Sequence, residues 1–335
     1  MSRLDTTYFN WALFRHDIKK DVRTCIWYLL FALGVNLLVA SVVQGVGMMR
    51  NPKVISDVMQ NALGGELQDI GDTSQALMES LDSNLLSAAV MAGAVVGPLV
   101  FLICRKRRFF TDVAMPARER LTPGVFFTLL LATQAVQYLY GHLVTFIDML
   151  LKPAGGSISE GYSDIMDQFI SPVGIVYIVL VGPVFEELVF RGALLGMLRK
   201  YGENFAIVMS SLCFGFFHMV ILQIPFAFFI GLLLGYAASR FSLRVSILLH
   251  IIVNGLSMVS TISRSAEELY GYAILACTIV AIAIFIIQRR GVAARIRAGG
   301  SYYDHTFAYG LTCIPFLCYC VGATIVGVIE SVSIL

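Results

Sequence analysis

The sequence predicts an all-α membrane protein, folded as a polytopic bundle of about 8–9 transmembrane helices. Of its 335 residues, 58% are hydrophobic and 14% are charged, whereas a soluble domain carries roughly 25% charged residues. Apolar runs of about 20 residues, the length at which a helix crosses ~30 Å of hydrocarbon, recur along the chain. Most of the charged residues lie between these runs. The two observations together exclude an ordinary soluble globular domain.

Nine segments are candidate spans. They cover residues 24–48, 85–104, 124–150, 172–198, 203–222, 224–240, 243–262, 268–288 and 306–330. The segment 224–240 is short for a span, and Pro315 interrupts the last one, which makes that span the weakest of the nine.

The spans suggest four regions along the chain. They are a cytoplasmic basic or amphipathic segment at 1–23, N-terminal transmembrane helices at 24–171, a core at 172–262 and C-terminal transmembrane helices at 263–335. Within the first region, residues 8–20 fit an interfacial amphipathic helix and a solvated basic anchor equally well. The long polar outer loop 51–84 could form a lid or an exterior helix.

Lysine and arginine predict the orientation of the bundle, because cytoplasmic loops carry an excess of both. Basic residues cluster before the first span and after the second, fourth, sixth and eighth spans, whereas the loops between these positions are acidic or nearly neutral. The alternation places the N-terminus in the cytoplasm and the C-terminus outside. No basic stripe suggests a nucleic-acid partner, and nothing in the sequence requires a cofactor.

The most informative residues are Glu186, Glu187 and Arg191, which lie inside the fourth span. A carboxylate at this depth costs at least ~2.5–3.5 kcal/mol on insertion scales, so such residues usually face a protein interior and mark function. Glu187 and Arg191 are four residues apart, so their side chains can form an ion pair on one face of a helix. Glu186 lies about 100° around the helix, where it has no arginine partner.

Two further polar pairs follow in later spans. Phe214 and His218 share one face of the fifth span, and His250 and Asn254 share one face of the seventh, each pair four residues apart. Counted at ~1.5 Å per residue from the cytoplasmic ends, Glu186 lies at about 20 Å, His218 at about 22 Å, Asn254 at about 15 Å and His250 at about 9 Å. Kinks or tilts must absorb this spread if the side chains are to meet.

Together these groups suit hydrolysis by an activated water. A carboxylate with a neighbouring histidine can take a proton from water, and a second histidine with an amide can stabilise an oxyanion. Other interpretations remain open. The glutamates and Arg191 could be a structural ion pair, His250 and Asn254 could join helices by hydrogen bonds, and Glu186, His218 and His250 could ligate zinc.

The three motifs, Glu186-Glu187-x-x-x-Arg191, Phe214-x-x-x-His218 and His250-x-x-x-Asn254, resemble the signature of the CPBP family in order, residue type and spacing. That family comprises the type II CAAX prenyl endopeptidases and their bacterial relatives, described as intramembrane glutamic proteases. The resemblance covers residues 172–262, and it implies that this region is a CAAX-protease-like catalytic core in a multi-pass protein, with a bacterial plasma membrane as the expected location.

The resemblance implies that Glu186 and His218 activate water and that His250 and Asn254 form the oxyanion site. It makes Glu187, Arg191 and Phe214 supporting residues, with no cofactor and no metal. The expected partners are a peptide or protein substrate, prenylated or of the bacteriocin type, and membrane lipid. The rival functions are a non-catalytic membrane immunity or regulatory protein on the same scaffold, a zinc-dependent membrane protease and, less favoured, a transporter.

Overall fold

The structure, a computed structural model, describes residues 10–50, 56, 83–105, 117–154, 157–159, 170–260, 263–300 and 305–332. Within these ranges the regular elements are helices and no strand occurs, which confirms the all-α prediction. The helices are α1 (Trp11–Arg50), α2 (Ser83–Arg105), α3 (Pro123–Leu151), α4 (Pro172–Tyr201), α5 (Glu203–Phe217), α6 (Gln223–Arg240), α7 (Leu243–Val259), α8 (Arg264–Ala298), α9 (Thr306–Leu311) and α10 (Ile314–Val332).

Several of these helices have the length and composition of membrane spans. Helices α4, α6 and α8 and the part Trp11–Val43 of α1 are long and apolar enough to cross a bilayer. Shorter apolar stretches lie in α2, α5, α7 and α10. The chain is therefore an integral membrane protein, as predicted, and the number of spans is approximate. Its orientation stays a prediction.

Two predicted spans differ from the helices that form. The segment 203–222 is too long, because α5 ends at Phe217 and Met219 adopts a left-handed backbone with φ 53°. The segment 306–330 is divided into α9 and α10, which are separated at residues 312–313 just before Pro315. In both places the backbone turns inside an apolar run, where hydropathy alone gives no signal.

Helix α1 contains residues 11–20 of the segment 8–20, for which the sequence allowed either an interfacial helix or a solvated basic anchor. It begins at Trp11 and continues without a break as far as Arg50. Ile18 and Val22 on this helix are almost completely buried. Its Asp21 accepts a hydrogen bond of 2.6 Å from the Tyr201 hydroxyl at the end of α4. The predicted loop 51–84 lies outside the described residues, apart from residue 56 and the start of α2.

Two apolar clusters hold the helices together. The larger one joins α1, α4, α5 and α10 through residues such as Leu29, Phe190 and Phe205. The smaller one joins α3, α6 and α7 through Leu129, Leu234 and Leu249. Because α4, α5 and α7 lie where these clusters meet, the polar residues of the three predicted motifs are enclosed by helices on several sides.

Helix α4 is irregular at the site, and Pro183 explains part of the irregularity. The helix changes to π-helical geometry over Tyr177–Val181 and again over Leu188–Leu194, with the α-helical turn Gly182–Glu187 between them. Proline has no backbone N–H, so it cannot continue the regular ladder. Each π turn shifts the phase of the side chains that follow, and π segments of this kind are frequent at functional sites.

Candidate functional site

The Glu187 carboxylate is completely buried and surrounded by donors. Its Oε1 lies 3.1 Å from Arg191 Nη1 and 3.0 Å from His250 Nδ1. Its Oε2 accepts a short hydrogen bond from the Ser246 hydroxyl on α7. Both oxygens are therefore occupied, and the predicted pairing of Glu187 with Arg191 is present.

Arg191 is enclosed as fully as its partner, with no exposed surface. Nη2 donates a 3.3 Å hydrogen bond to the Gly231 carbonyl of α6, and Cζ lies 4.2 Å from the centre of the Phe214 ring. A Cβ at position 231 would lie 3.1 Å from that Nη2 atom. Glycine at this position therefore lets α6 approach the guanidinium.

Glu186 has a different environment from its neighbour. Its side chain is 22% exposed, and its Oε2 lies 3.7 Å from His250 Nε2, beyond direct hydrogen-bond distance. Arg191 is occupied by Glu187, so Glu186 has no arginine partner among the described residues. Of the two adjacent glutamates, Glu187 has partners on both carboxylate oxygens. The Glu186 carboxylate is the one that can take a proton from water.

His218 lies at the end of α5 rather than within it. Its backbone N–H donates to the Gly215 carbonyl, which leaves the Phe214 carbonyl without its usual helical donor. The His218 ring satisfies that carbonyl through Nδ1, at 2.9 Å. Since a carbonyl can only accept, Nδ1 carries the proton and Nε2 is left to accept one.

Asn254 is held by the irregularity of α4. Its Nδ2 donates a 2.9 Å hydrogen bond to the Ile178 carbonyl. In the π-helical stretch the Gly182 N–H bonds to the Tyr177 carbonyl, and the next donor in that pattern would be Pro183, which has none. Asn254 therefore fills a gap that Pro183 creates, and the second N–H of its amide stays available.

Phe214 lies at the centre of the polar groups. Its ring meets His218 edge to face with a centroid distance of 4.9 Å, and it meets His250 in the same way at 5.8 Å. Phe190 packs against it at 5.2 Å. One ring therefore separates the two imidazoles and supports Arg191, a supporting role consistent with its predicted place in the motif.

A small cavity of about 40 Å³ opens beside Glu186. It is lined by residues of α1, α2, α4 and α5, among them Asn36, Tyr177 and Phe217. A polar cavity needs ~10–15 Å³ to hold a water molecule. The volume next to Glu186 is therefore large enough for one water; its walls are mostly apolar, and His218, His250 and Asn254 do not line it.

The structure brings Glu186, Glu187, Arg191, Phe214 and His250 into contact, and it places His218 and Asn254 at the edges of the same cluster. The side chains meet although their estimated depths differ, and two irregular places lie next to them: the π-helical stretches of α4 and the end of α5. Ser246 and Gly231 were not singled out from the sequence. Ser246 had a signal, since it lies one turn before His250 on the stripe that continues to Asn254.

No group of three or more histidine, cysteine or acidic side chains in the described part of the chain is arranged to hold a metal ion. The zinc-dependent alternative, with Glu186, His218 and His250 as ligands, therefore has no preformed site within these ranges.

Comparison with known protein families gives a match over part of the chain. Residues 168–256 match the family model described as type II CAAX prenyl endopeptidase Rce1-like. Neither a curated protein nor a solved structure shows a significant match to the chain. The matched segment contains all three motifs and the whole side-chain cluster, and the CPBP resemblance read from those motifs is confirmed. In its segment 168–256 the chain is therefore similar to the CAAX-type protease family of helical membrane proteins.

Proposed function

We propose that this protein is an intramembrane endopeptidase of the glutamic type, in which Glu186 and His218 activate a water molecule. The family supports protease activity. The observation that carries the glutamic mechanism is the contrast between two adjacent carboxylates. Glu187 is saturated by Arg191, His250 and Ser246, whereas Glu186 faces a cavity of water-molecule size.

In this mechanism the Glu186 carboxylate removes a proton from water while the water oxygen attacks the scissile carbonyl carbon. His218 Nε2 accepts a hydrogen bond from the same water, because Nδ1 is committed to the Phe214 carbonyl. A positioned base of this kind contributes about 10²–10⁴-fold to a rate. No covalent bond to the protein is formed.

The oxyanion that forms on the carbonyl oxygen is stabilised by Asn254 and His250. Asn254 uses the N–H that is not bonded to Ile178. His250 Nδ1 donates to the ionised Glu187, so Nε2 donates to the oxyanion only when the ring is an imidazolium. Glu187 thus orients the His250 ring through this contact, which is the supporting role that the motif suggests.

The tetrahedral intermediate then collapses. The carbon–nitrogen bond breaks, Glu186 returns its proton to the leaving amine, and the products are a carboxylic acid and an amine. The second proton of the attacking water leaves with the new carboxyl group.

Substrates are peptides or proteins with a cleavable bond near the membrane. Cleavage of prenylated and unprenylated versions of one peptide distinguishes a CAAX substrate from a bacteriocin-type one.

Replacing His218 by Asn is expected to lower the rate constant for cleavage by about 100-fold without lowering the melting temperature. The shorter amide can still donate to the Phe214 carbonyl, so the end of α5 keeps its hydrogen bond, whereas the acceptor at the Nε2 position is lost. The measurement compares kcat for a fluorogenic peptide with thermal unfolding of the same preparation. A variant that unfolds earlier and cleaves normally would make His218 a structural residue only.

A further inference from the structure

A deep groove lies on a different side of the bundle from the site. Helices α3, α5, α6 and α8 enclose a volume of about 1250 Å³. Its walls are mostly apolar, with Leu129, Ile207, Leu233 and Phe285 among the lining residues. Ligand pockets usually have volumes of about 300–1,000 Å³, so this groove can hold a large apolar molecule.

One end of the groove is polar. Glu203, Arg240 and Arg295 line it there. Arg240 is neutralised, since its Nε lies 2.9 Å from Glu203 and its Nη1 lies 3.2 Å from Glu119. Arg295 donates a 3.3 Å hydrogen bond to the Tyr236 hydroxyl, and no carboxylate of the described residues forms an ion pair with it. The mouth of the groove therefore presents one uncompensated cation.

The length of the groove matches one leaflet of a bilayer. From Arg295 to Ala281 on α8 there are fourteen residues, or about 21 Å of helix. Half of a bilayer with its headgroup region measures about 20–22 Å. A molecule with its anionic group at Arg295 and its hydrocarbon running towards Ala281 would thus lie parallel to the lipids of that leaflet.

The groove is separated from the candidate catalytic residues. None of its lining residues belongs to α4 or α7, the helices that carry Glu186, His250 and Asn254. A substrate chain in this groove would have to pass α5 or α6 to reach the catalytic water. The position of the groove therefore favours a resident lipid over a substrate.

We propose that this groove binds one anionic phospholipid, with its phosphate at Arg295 and its acyl chains between α3, α6 and α8. Basic pockets between transmembrane helices bind anionic headgroups by the same electrostatics. The lipid would fill the gap between α5–α6 and α3–α8 and so join the two parts of the bundle. This inference does not depend on the proposed protease mechanism.

Native mass spectrometry of the full-length protein tests the site with phosphatidylglycerol and phosphatidylcholine of identical acyl chains. The wild type is expected to bind the anionic lipid roughly fivefold more tightly, the effect of about one basic side chain near the headgroup. Arg295→Gln should remove this preference. Arg297→Gln is the matched control, because Arg297 lies on the same helix and does not line the groove. Ala281→Trp should weaken both lipids by filling the apolar part.

Three results would overturn the proposal. They are equal binding of the two lipids by the wild type, an equal loss of preference in the Arg297 and Arg295 variants, and unchanged lipid binding by Ala281→Trp in a protein that remains folded. Displacement of bound phosphatidylglycerol by a prenylated peptide, one for one, would assign the groove to the substrate and also contradict it. Cleavage assays are not part of this test, so its failure leaves the catalytic mechanism unaffected.

Discussion

Glu186→Gln is expected to lower the rate constant for peptide cleavage by at least about 1,000-fold, near the upper part of the range for loss of a general base. The amide keeps the size of the side chain and loses the ability to take a proton from water. Glu186 forms no ion pair with an arginine of the described residues, and its side chain is 22% exposed. The melting temperature of this variant should therefore stay close to that of the wild type. The assay follows a defined cleavage product from protein that elutes as one folded species.

Glu186→Asp is the matched control for this prediction. It keeps the carboxylate but withdraws it by one methylene group, so partial cleavage should remain. Retained cleavage by Glu186→Gln would remove Glu186 as the base. Biological activity that survives in this variant, with no proteolysis by the wild type, would favour the non-catalytic immunity or regulatory protein. Loss of wild-type cleavage on adding a chelator would favour the zinc-dependent protease.

Arg191→Met is expected to destabilise the fold by about 3–5 kcal/mol, because it leaves a buried carboxylate without its partner. Both side chains of the Glu187–Arg191 pair have no exposed surface. The variant also removes the guanidinium from the Phe214 ring and from the Gly231 carbonyl. Thermal or denaturant unfolding in detergent measures the loss.

The double variant Glu187→Gln with Arg191→Met separates charge from packing. Neither residue then carries a buried charge, so the double variant should be more stable than the sum of the two single losses predicts. It should nevertheless cleave poorly, because Glu187 no longer orients His250. A single Arg191→Met variant that loses less than about 1 kcal/mol would contradict the interpretation of this pair as a buried ion pair.

Much of this architecture could be predicted from the sequence, since hydropathy reports burial in lipid and a helix fixes which side chains share a face. The pairing of Glu187 with Arg191 follows from their spacing of four residues, and it is present at 3.1 Å. The shared stripe of His250 and Asn254 follows in the same way. The helical repeat also predicts that Glu186 has no arginine partner, and none occurs among the described residues.

The remaining features depend on hydrogen bonds that hydropathy does not report. Helix α5 ends at Phe217, where the backbone turns into the left-handed conformation of Met219. Hydropathy does not report this turn. The sequence therefore predicted His218 inside a span, whereas it lies just after the end of the helix. The hydrogen bond from Asn254 forms at the Ile178 carbonyl, which Pro183 leaves without a backbone donor. Ser246 on α7 contacts Glu187 on α4, and its position one turn before His250 indicates the shared helix face but not this partner.

The most direct measurement is a cryo-electron microscopy structure of the Glu186→Gln protein with an uncleaved peptide substrate bound. We expect one water about 3–3.5 Å from the scissile carbonyl carbon, the distance of a near-attack geometry. That water should contact His218 Nε2 and the side chain at position 186, and the carbonyl oxygen should accept from Asn254. A peptide bound in the groove between α3 and α8, or a scissile bond out of reach of any water held by these residues, would contradict it.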